Sequence, residues 1–251
     1  MFSKFRTRLA AVFSTSPPEP QPLYGTVASH RSYILLKAPS PPSSFPSRFS
    51  TPLRRTLQLH VTRWGGIVNF AWTGPGASSD STSVTAFSPL GGSIYFPNLS
   101  LSNVDDVAEA LRQHATAPCN NDQTDSIHLY VCTHGARDCR CGDMGGKVFQ
   151  ALKEELDRRA RTDPSGPAKS VVLGEVAHVG GHQFAATMLV FPQGDWLGML
   201  TPQDVPRVLD AIFASDRRPL TVLDPPLCRD LWRGRMGLAK DEQLSLHSSH
   251  S

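Results

Sequence analysis

Two cysteines and two histidines stand at the ends of segments that have the composition of β-strands. Cys132 follows the run SIHLYV, and Cys141 comes shortly before an amphipathic run that begins near Met144. His178 and His182 flank a pair of glycines in the run AHVGGH, directly after the run SVVLGEV. If the two strands are neighbours in one small sheet, their ends bring two sulfur and two nitrogen donors into one site.

Two Cys and two His side chains can hold either a tetrahedral zinc ion or a [2Fe-2S] cluster with mixed ligands. Zinc fingers separate their paired cysteines by about two to four residues, whereas eight residues separate Cys132 from Cys141. The wider spacing favours the cluster. Cys139 offers a third sulfur in the same segment and is an alternative ligand to Cys141. Between the histidines, Gly180 and Gly181 disfavour a helix by about 1 kcal/mol each, so we expect a loop there.

Two other functions fit the same residues. A thiol-disulfide oxidoreductase would use Cys139 and Cys141, or Cys132, with the histidines as bystanders. A zinc-stabilised binding module would use its metal only to fold the loop. The sequence contains no evident general base, nucleophile triad or phosphate-binding loop, so an electron carrier or redox regulator is favoured over a stand-alone enzyme.

The elements around these residues follow the order of a thioredoxin-like unit. The expected strands and helices are a strand at 126–131, a helix from Met144 to Arg161, strands at 170–177 and 184–191, a short strand at WLGML, and a helix beginning near Asp204. The pattern β-α-β-β-β-α with short connections predicts a mixed sheet with flanking helices. We assign this domain to residues 121–216.

Residues 22–120 have the pattern of an N-terminal α/β lobe. Its expected strands are SYILLKA, TLQLHVTR, IVNFAW and SIYF, and the second shows an alternation of Leu57, Leu59 and Val61. The proline-rich run APSPPSSFPS predicts a loop between the first two of them. The fold class is therefore α/β with two lobes, which are compatible with one shared plan. Residues 217–251 are expected to form a C-terminal tail.

The runs CTHGARDCRCG and AHVGGHQFAATMLVFPQGDWLGMLTPQDV resemble the sucrase/ferredoxin-like family of thioredoxin-like [2Fe-2S] proteins. The resemblance is dense over the C-terminal lobe and weaker over the N-terminal lobe and the tail. It implies that Cys132, Cys141, His178 and His182 hold the cluster, and that the protein transfers electrons or senses redox state with an unidentified partner protein. The additional Cys139 leaves the identity of the second sulfur ligand open.

The N-terminus carries all of the net charge of +3. Lys4, Arg6 and Arg8 lie in an amphipathic stretch that has no acidic residue before Glu19. We expect residues 1–18 to be a mitochondrial presequence, which places the protein in the matrix or the intermembrane space, with the cytosol as the alternative.

The rest of the composition excludes several classes of protein. Without its first residues the chain is electrically neutral, which predicts no nucleic-acid partner. No run of 18 apolar residues occurs, so no membrane-spanning helix is expected. The cysteine count of 5 is odd, and three of the thiols are crowded together, which does not fit the disulfide framework of a secreted protein.

Overall fold

The computed structural model describes residues 21–75, 82–118 and 126–250. Over these residues the chain forms one nine-stranded sheet. The strands are β1 (Ser32–Lys37), β2 (Gly66–Trp72), β3 (Thr82–Ser88), β4 (Gly92–Leu99), β5 (Ile127–Cys132), β6 (Val171–Val176), β7 (Met188–Phe191), β8 (Asp195–Leu197) and β9 (Trp232–Arg235). The helices are α1 (Pro52–Thr62), α2 (Val104–Thr116), α3 (Cys139–Thr162), α4 (Val205–Ala214) and α5 (Lys240–Ser249). None of the helices in these ranges is long and apolar enough to cross a membrane. The expected presequence at residues 1–18 lies outside the described residues.

Both halves of the chain follow one plan: strand, helix, three strands, helix. In the sheet, the first half has the order β4-β3-β1-β2 and the second half has the order β6-β5-β7-β8. Strands β1 and β2 pair in parallel, as do β5 and β6, and a helix makes each crossover, as a parallel pair requires. The α/β class and the mixed sheet of the second half are therefore confirmed. The two lobes join where β2 and β6 pair antiparallel.

Each lobe packs its helices on the sheet around a hydrophobic core of its own. In the first lobe, Leu36 of β1, Leu57 of α1 and Leu111 of α2 are fully buried in one cluster. In the second lobe, Leu129 of β5 and Val148 of α3 are fully buried in another. Each such side chain contributes about 1.5–3 kcal/mol through burial. This packing fixes the position of every strand end relative to the helix that follows it.

The first helix corrects a prediction, because the run TLQLHVTR was expected to be a strand and lies in α1. Leu57 and Val61, one helical turn apart, are fully buried, whereas Leu59 is 73% exposed. The alternation of these three residues fits a strand, but two of them also share one helix face. Thr51 caps the helix with its side chain, and Pro52 occupies the first helical position. Both are preferred at a helix start and are compatible with the helix that the packing of Leu57 and Val61 selects.

The sheet is strongly curled. Phe87 of β3 stacks on Phe191 of β7 with ring centroids 4.1 Å apart, although β1, β2, β6 and β5 lie between these strands in the sheet. Tyr33 and Trp196 also meet edge to face, with centroids 5.4 Å apart. An aromatic cluster therefore fills the concave face of the sheet, opposite the helices, and ties the two lobes together.

Residues 217–251 differ from the expected tail because they extend the sheet and complete the second core. Strand β9 pairs antiparallel with β8, and Trp232 of β9 and Leu246 of α5 belong to the core of the second lobe. Arg235 of β9 forms a bidentate ion pair with Asp195 of β8, at 2.6 and 3.1 Å. Both side chains are fully buried, so the ion pair anchors this segment to the sheet.

We predict that Asp195→Asn lowers the free energy of unfolding by about 3 kcal/mol, because it leaves the Arg235 charge buried without its counter-charge. Asp230→Asn serves as the control, since Asp230 pairs with Arg207 at 2.7 Å on the surface, and exposed pairs contribute less than about 1 kcal/mol. Urea unfolding followed by circular dichroism measures both effects. Equal losses in the two variants would contradict the assigned role of the buried pair.

Candidate metal centre

A close backbone contact sets the position of the site. Gly145 of α3 lies so near the end of β5 that a Cβ atom at this position would overlap with the carbonyl oxygen of Cys132. One turn earlier in the helix, Gly142 packs against the backbone of Gly135 in the connection that precedes α3. The glycines therefore let α3 begin directly against the strand. This contact brings Cys141, in the first turn of α3, next to Cys132, the last residue of β5.

Helix α3 begins earlier than the sequence predicts. It was expected from Met144, but it starts at Cys139 because Asp138 caps it. The Asp138 carboxylate accepts a hydrogen bond from the backbone N–H of Arg140 at 3.0 Å, a common way of satisfying a free N–H at a helix start. Cys141 is consequently a helical residue, and only residues 133–138 connect the strand to the helix.

Three of the four predicted donor residues converge. The sulfur atoms of Cys132 and Cys141 and a ring nitrogen of His178 all lie within 4.8 Å of one another. The Cys141 sulfur is 3.8 Å from Nδ1 of His178. Both cysteines are buried, and His178 is half-buried. The set joins two soft sulfur donors to an imidazole, a combination that suits zinc or an iron-sulfur cluster.

His182 stands at the rim of this group. Its ring centroid lies 6.1 Å from that of His178, with the two rings 29° from parallel. The His182 side chain is 52% exposed, and its Nδ1 is 3.6 Å from the Asp138 carboxylate. Between the two histidines, Gly180 and Gly181 have φ angles of +82° and +64°, in the left-handed region that favours glycine. The expected loop is present, and it turns both histidines toward the same side of the site.

Helix geometry separates the two candidate sulfur ligands. Cys139 and Cys141 both belong to α3, and two residues along an α-helix are rotated by about 200°. Only one of them can face β5. The structure places Cys141 beside Cys132 and His178, while Cys139 is exposed at the helix start.

Electrostatics favour a thiolate on Cys132. The Cys141 thiol donates a hydrogen bond to the Cys132 sulfur, which lowers the pKa of Cys132 and, together with burial, raises the pKa of Cys141. The backbone N–H groups of Val179 and His134 and the charge of Arg233 also lower the pKa of Cys132, against the opposing effect of burial. When the pair loses its first proton, the negative charge therefore lies on Cys132.

A buried arginine next to the cysteines supplies positive charge, although it lies in the segment that the sequence predicts to be a tail. Arg233 of β9 is 2% exposed and donates from Nη1 to the carbonyl oxygen of Gly180 at 3.2 Å and to the hydroxyl of Thr187 at 3.1 Å. Burial lowers its pKa to about 10, and the negative charges of Cys132 and Cys141 oppose that shift. Among the described residues Arg233 has no carboxylate partner, so Cys132, when ionised, supplies its counter-charge. Its position depends on the pairing of β9, which no local sequence pattern reveals.

The N-terminal lobe holds the histidine loop from the other side. Nε2 of His134 lies 2.9 Å from the carbonyl oxygen of Pro46, in the proline-rich loop. The backbone N–H of His178 donates to Nδ1 of His134 at 3.4 Å, so His134 carries its proton on Nε2. The side chain of Asn69 donates to the carbonyl oxygen of Ala177 at 3.1 Å. The first lobe thus holds the Ala177–His178 peptide directly through Asn69 and indirectly through His134, which contacts Pro46.

Comparison with known proteins identifies the family of this chain. Residues 23–234 match the sequence profile described as Sucrase/ferredoxin-like, and the chain belongs to this family. Altered inheritance of mitochondria protein 32 from Meyerozyma guilliermondii is 33% identical over 116 residues, which cover 45% of this chain and 36% of that protein. Actin patches distal protein 1 from Saccharomyces cerevisiae is 27% identical over 106 residues, which cover 40% and 34%. The matches therefore span about a third of the length of these relatives.

A thioredoxin-like [2Fe-2S] ferredoxin from Aquifex aeolicus is similar to part of the chain. The match has 23% identity and a TM-score of 0.29, and it covers 35% of this chain and 79% of the ferredoxin.

We predict that Gly145→Ala loosens the contact between α3 and β5, because the new methyl group collides with the Cys132 carbonyl. Overpacking of this kind costs about 1–3 kcal/mol, so alkylation of the buried Cys132 by iodoacetamide should become about tenfold faster in the reduced, metal-free protein. Gly146→Ala is the matched control, since a Cβ at Gly146 meets no atom within 4 Å. Mass spectrometry of the Cys132 peptide gives the rates. The same rate in both variants would show that the contact does not control the site.

Proposed function

We propose that the chain binds a [2Fe-2S] cluster through Cys132, Cys141, His178 and His182 and acts as an electron carrier or redox regulator. The convergence of the first three donors within 4.8 Å carries this proposal. The donor chemistry fits the group: one cysteine is predisposed to be a thiolate, and neutral imidazoles are known cluster ligands. The cluster would supply one-electron transfer. Membership of the Sucrase/ferredoxin-like family supports the proposal.

The exposure of the donors sets where a partner would dock. The two sulfurs are buried, whereas His182 is half exposed. A redox partner protein would therefore approach the face that carries His182, because electron transfer is fastest across the shortest gap. Two neutral imidazoles in place of two thiolates remove two negative charges, so the reduction potential should lie above that of an all-cysteine ferredoxin.

A thiol-disulfide oxidoreductase is the second candidate, and the pairing of Cys132 with Cys141 favours it. These two sulfurs are hydrogen-bonded to each other, so a disulfide would involve this pair rather than Cys139 and Cys141. Exchange needs a thiolate that a substrate disulfide can reach. Cys132 is 1% exposed, which makes this function less favoured than cluster binding. The zinc-binding module would use the same donor residues, and anaerobic purification distinguishes it from a cluster-binding protein.

A mitochondrial location is part of the proposal. It is supported by relatives named as altered inheritance of mitochondria proteins and by the basic, acid-free composition of residues 1–18.

Anaerobic purification separates the candidates. We expect a red-brown protein with a paramagnetic centre after reduction. Cys141→Ser and His178→Ala should lose the colour because each removes a converging donor, whereas Cys139→Ser should keep it because Cys139 points to solvent. A colourless protein with one bound zinc would establish the binding module instead. A metal-free protein with a reversible disulfide between Cys132 and Cys141 would establish the oxidoreductase.

We predict that Arg233→Gln lowers the reduction potential by tens of millivolts. Reduction adds a negative charge, which the buried guanidinium stabilises, and about 59 mV corresponds to about 1.4 kcal/mol for one electron. Arg137→Gln is the control, because Arg137 is exposed in the connection before α3 and its charge is screened by solvent. Spectroscopic redox titration measures both. A potential that falls equally in the two variants would contradict the role assigned to Arg233.

A further inference from the structure

A cavity of about 280 Å³ lies beside the histidine loop, at the seam between the two lobes. The segment 178–181 of that loop and residues 67–69 of β2 line it. Residues of the segment 26–30 and side chains from four further strands and helices complete it: Tyr33 of β1, Arg54 of α1, Trp196 of β8 and Arg233 of β9. The described residues that line it do not include Cys132, Cys141 or His182. The cavity is therefore separate from the donor cluster and shares only His178 with it.

Two cationic groups, Arg54 and Arg233, line this space. Within the described ranges, neither Arg54 nor Arg233 forms an ion pair with a carboxylate. Arg54 uses Nη2 to donate to the carbonyl oxygen of Val68 at 3.1 Å, and its Nε and Nη1 have no partner among the described residues. Both guanidinium charges act on the phenol of Tyr33, where they oppose the rise in its pKa that burial causes. The three polar groups thus converge on the same volume.

Two buried polar atoms on the cavity wall lack hydrogen-bond partners among the described residues. They are Nε2 of His30 and Nε1 of Trp196, which belong to side chains that are 3% and 5% exposed. The Trp196 nitrogen can only donate. Nδ1 of His30 lies 2.7 Å from the carbonyl oxygen of Ala28, so it carries the ring proton and leaves Nε2 as an acceptor. Buried polar atoms are nearly always paired, and both atoms are available to a ligand.

We propose that this cavity binds a small organic carboxylate. Arg54 supplies the free N–H donors that a carboxylate requires. Arg233, whose guanidinium already donates to Thr26, Gly180 and Thr187, contributes mainly its positive charge. The remaining walls, from Ile67, Val179 and the ring of Trp196, fit an apolar body rather than a bare inorganic ion. The volume lies at the lower end of the range for ligand pockets, which limits the ligand to a small molecule.

Calorimetric titration of the full chain tests this proposal. Benzoate and succinate are the carboxylate probes, benzamide is the uncharged analogue of the first, and inorganic phosphate represents a bare oxoanion. The reduced, metal-free protein is used first, so that failure to bind a carboxylate leaves the proposed cluster untouched and failure of the cluster leaves this site testable. We expect at least one carboxylate to bind, and benzamide and phosphate to bind more weakly.

Substitutions on α1 give matched variants. Arg54→Gln removes a charged donor from the cavity and should weaken carboxylate binding by about tenfold or more. Arg55→Gln makes the same change of charge at the next position, which is exposed, and should bind as the wild type does. Arg54→Lys keeps the charge and should recover part of the affinity. Circular dichroism confirms that each variant is folded.

Three outcomes would overturn the proposal. The first is that neither carboxylate binds to the folded wild-type chain. The second is that Arg54→Gln and Arg55→Gln change the affinity equally, which would indicate a general effect of charge. The third is that benzamide or phosphate binds as tightly as the carboxylates, which would mean that the site does not recognise an organic anion.

Discussion

The backbone of α3 lies in direct contact with the end of β5, and the rest of the site depends on this contact. It is possible because Gly145 has no side chain to hold the helix away from the carbonyl oxygen of Cys132. The approach brings the Cys141 sulfur to that of Cys132, and the hydrogen bond between them lowers the pKa of one thiol while it raises the pKa of the other. A helix displaced by the width of one methyl group would separate the two sulfurs and open them to solvent, so this hydrogen bond would be lost.

The first lobe has the same topology as the second but makes a different contribution to the site. Its β1–α1 connection contains no cysteine and instead forms the proline-rich loop, which sends Pro46 across to His134. Its strand β2 bonds to the chain just before His178, through the carbonyl oxygen of Phe70 and the side chain of Asn69. The first lobe therefore orients the histidine side of the site. The second lobe supplies all four proposed ligands.

Two buried arginines of β9 have different counter-charges. They are Arg233 and Arg235, which lie two residues apart. Arg235 is neutralised by the Asp195 carboxylate and anchors the strand. Arg233 faces the thiols and has no carboxylate partner among the described residues, so it stabilises negative charge at the site and along one wall of the neighbouring cavity. A buried cation of this kind is tolerable only where an anion is close.

The sequence alone determined the family and the β-α-β-β-β-α order of the second lobe, and it predicted the donor residues of the site, because these rest on residue types and on local periodicity. It did not determine α1, since the spacing of Leu57, Leu59 and Val61 fits either period and only packing chose between them. Nor could it separate Cys139 from Cys141. That choice depends on where α3 begins and which of its faces meets β5. The role of Arg233 and the cavity were likewise decided by tertiary structure. Strand β9 and helix α1 reach the histidine loop from distant parts of the chain, and no local sequence pattern predicts these contacts.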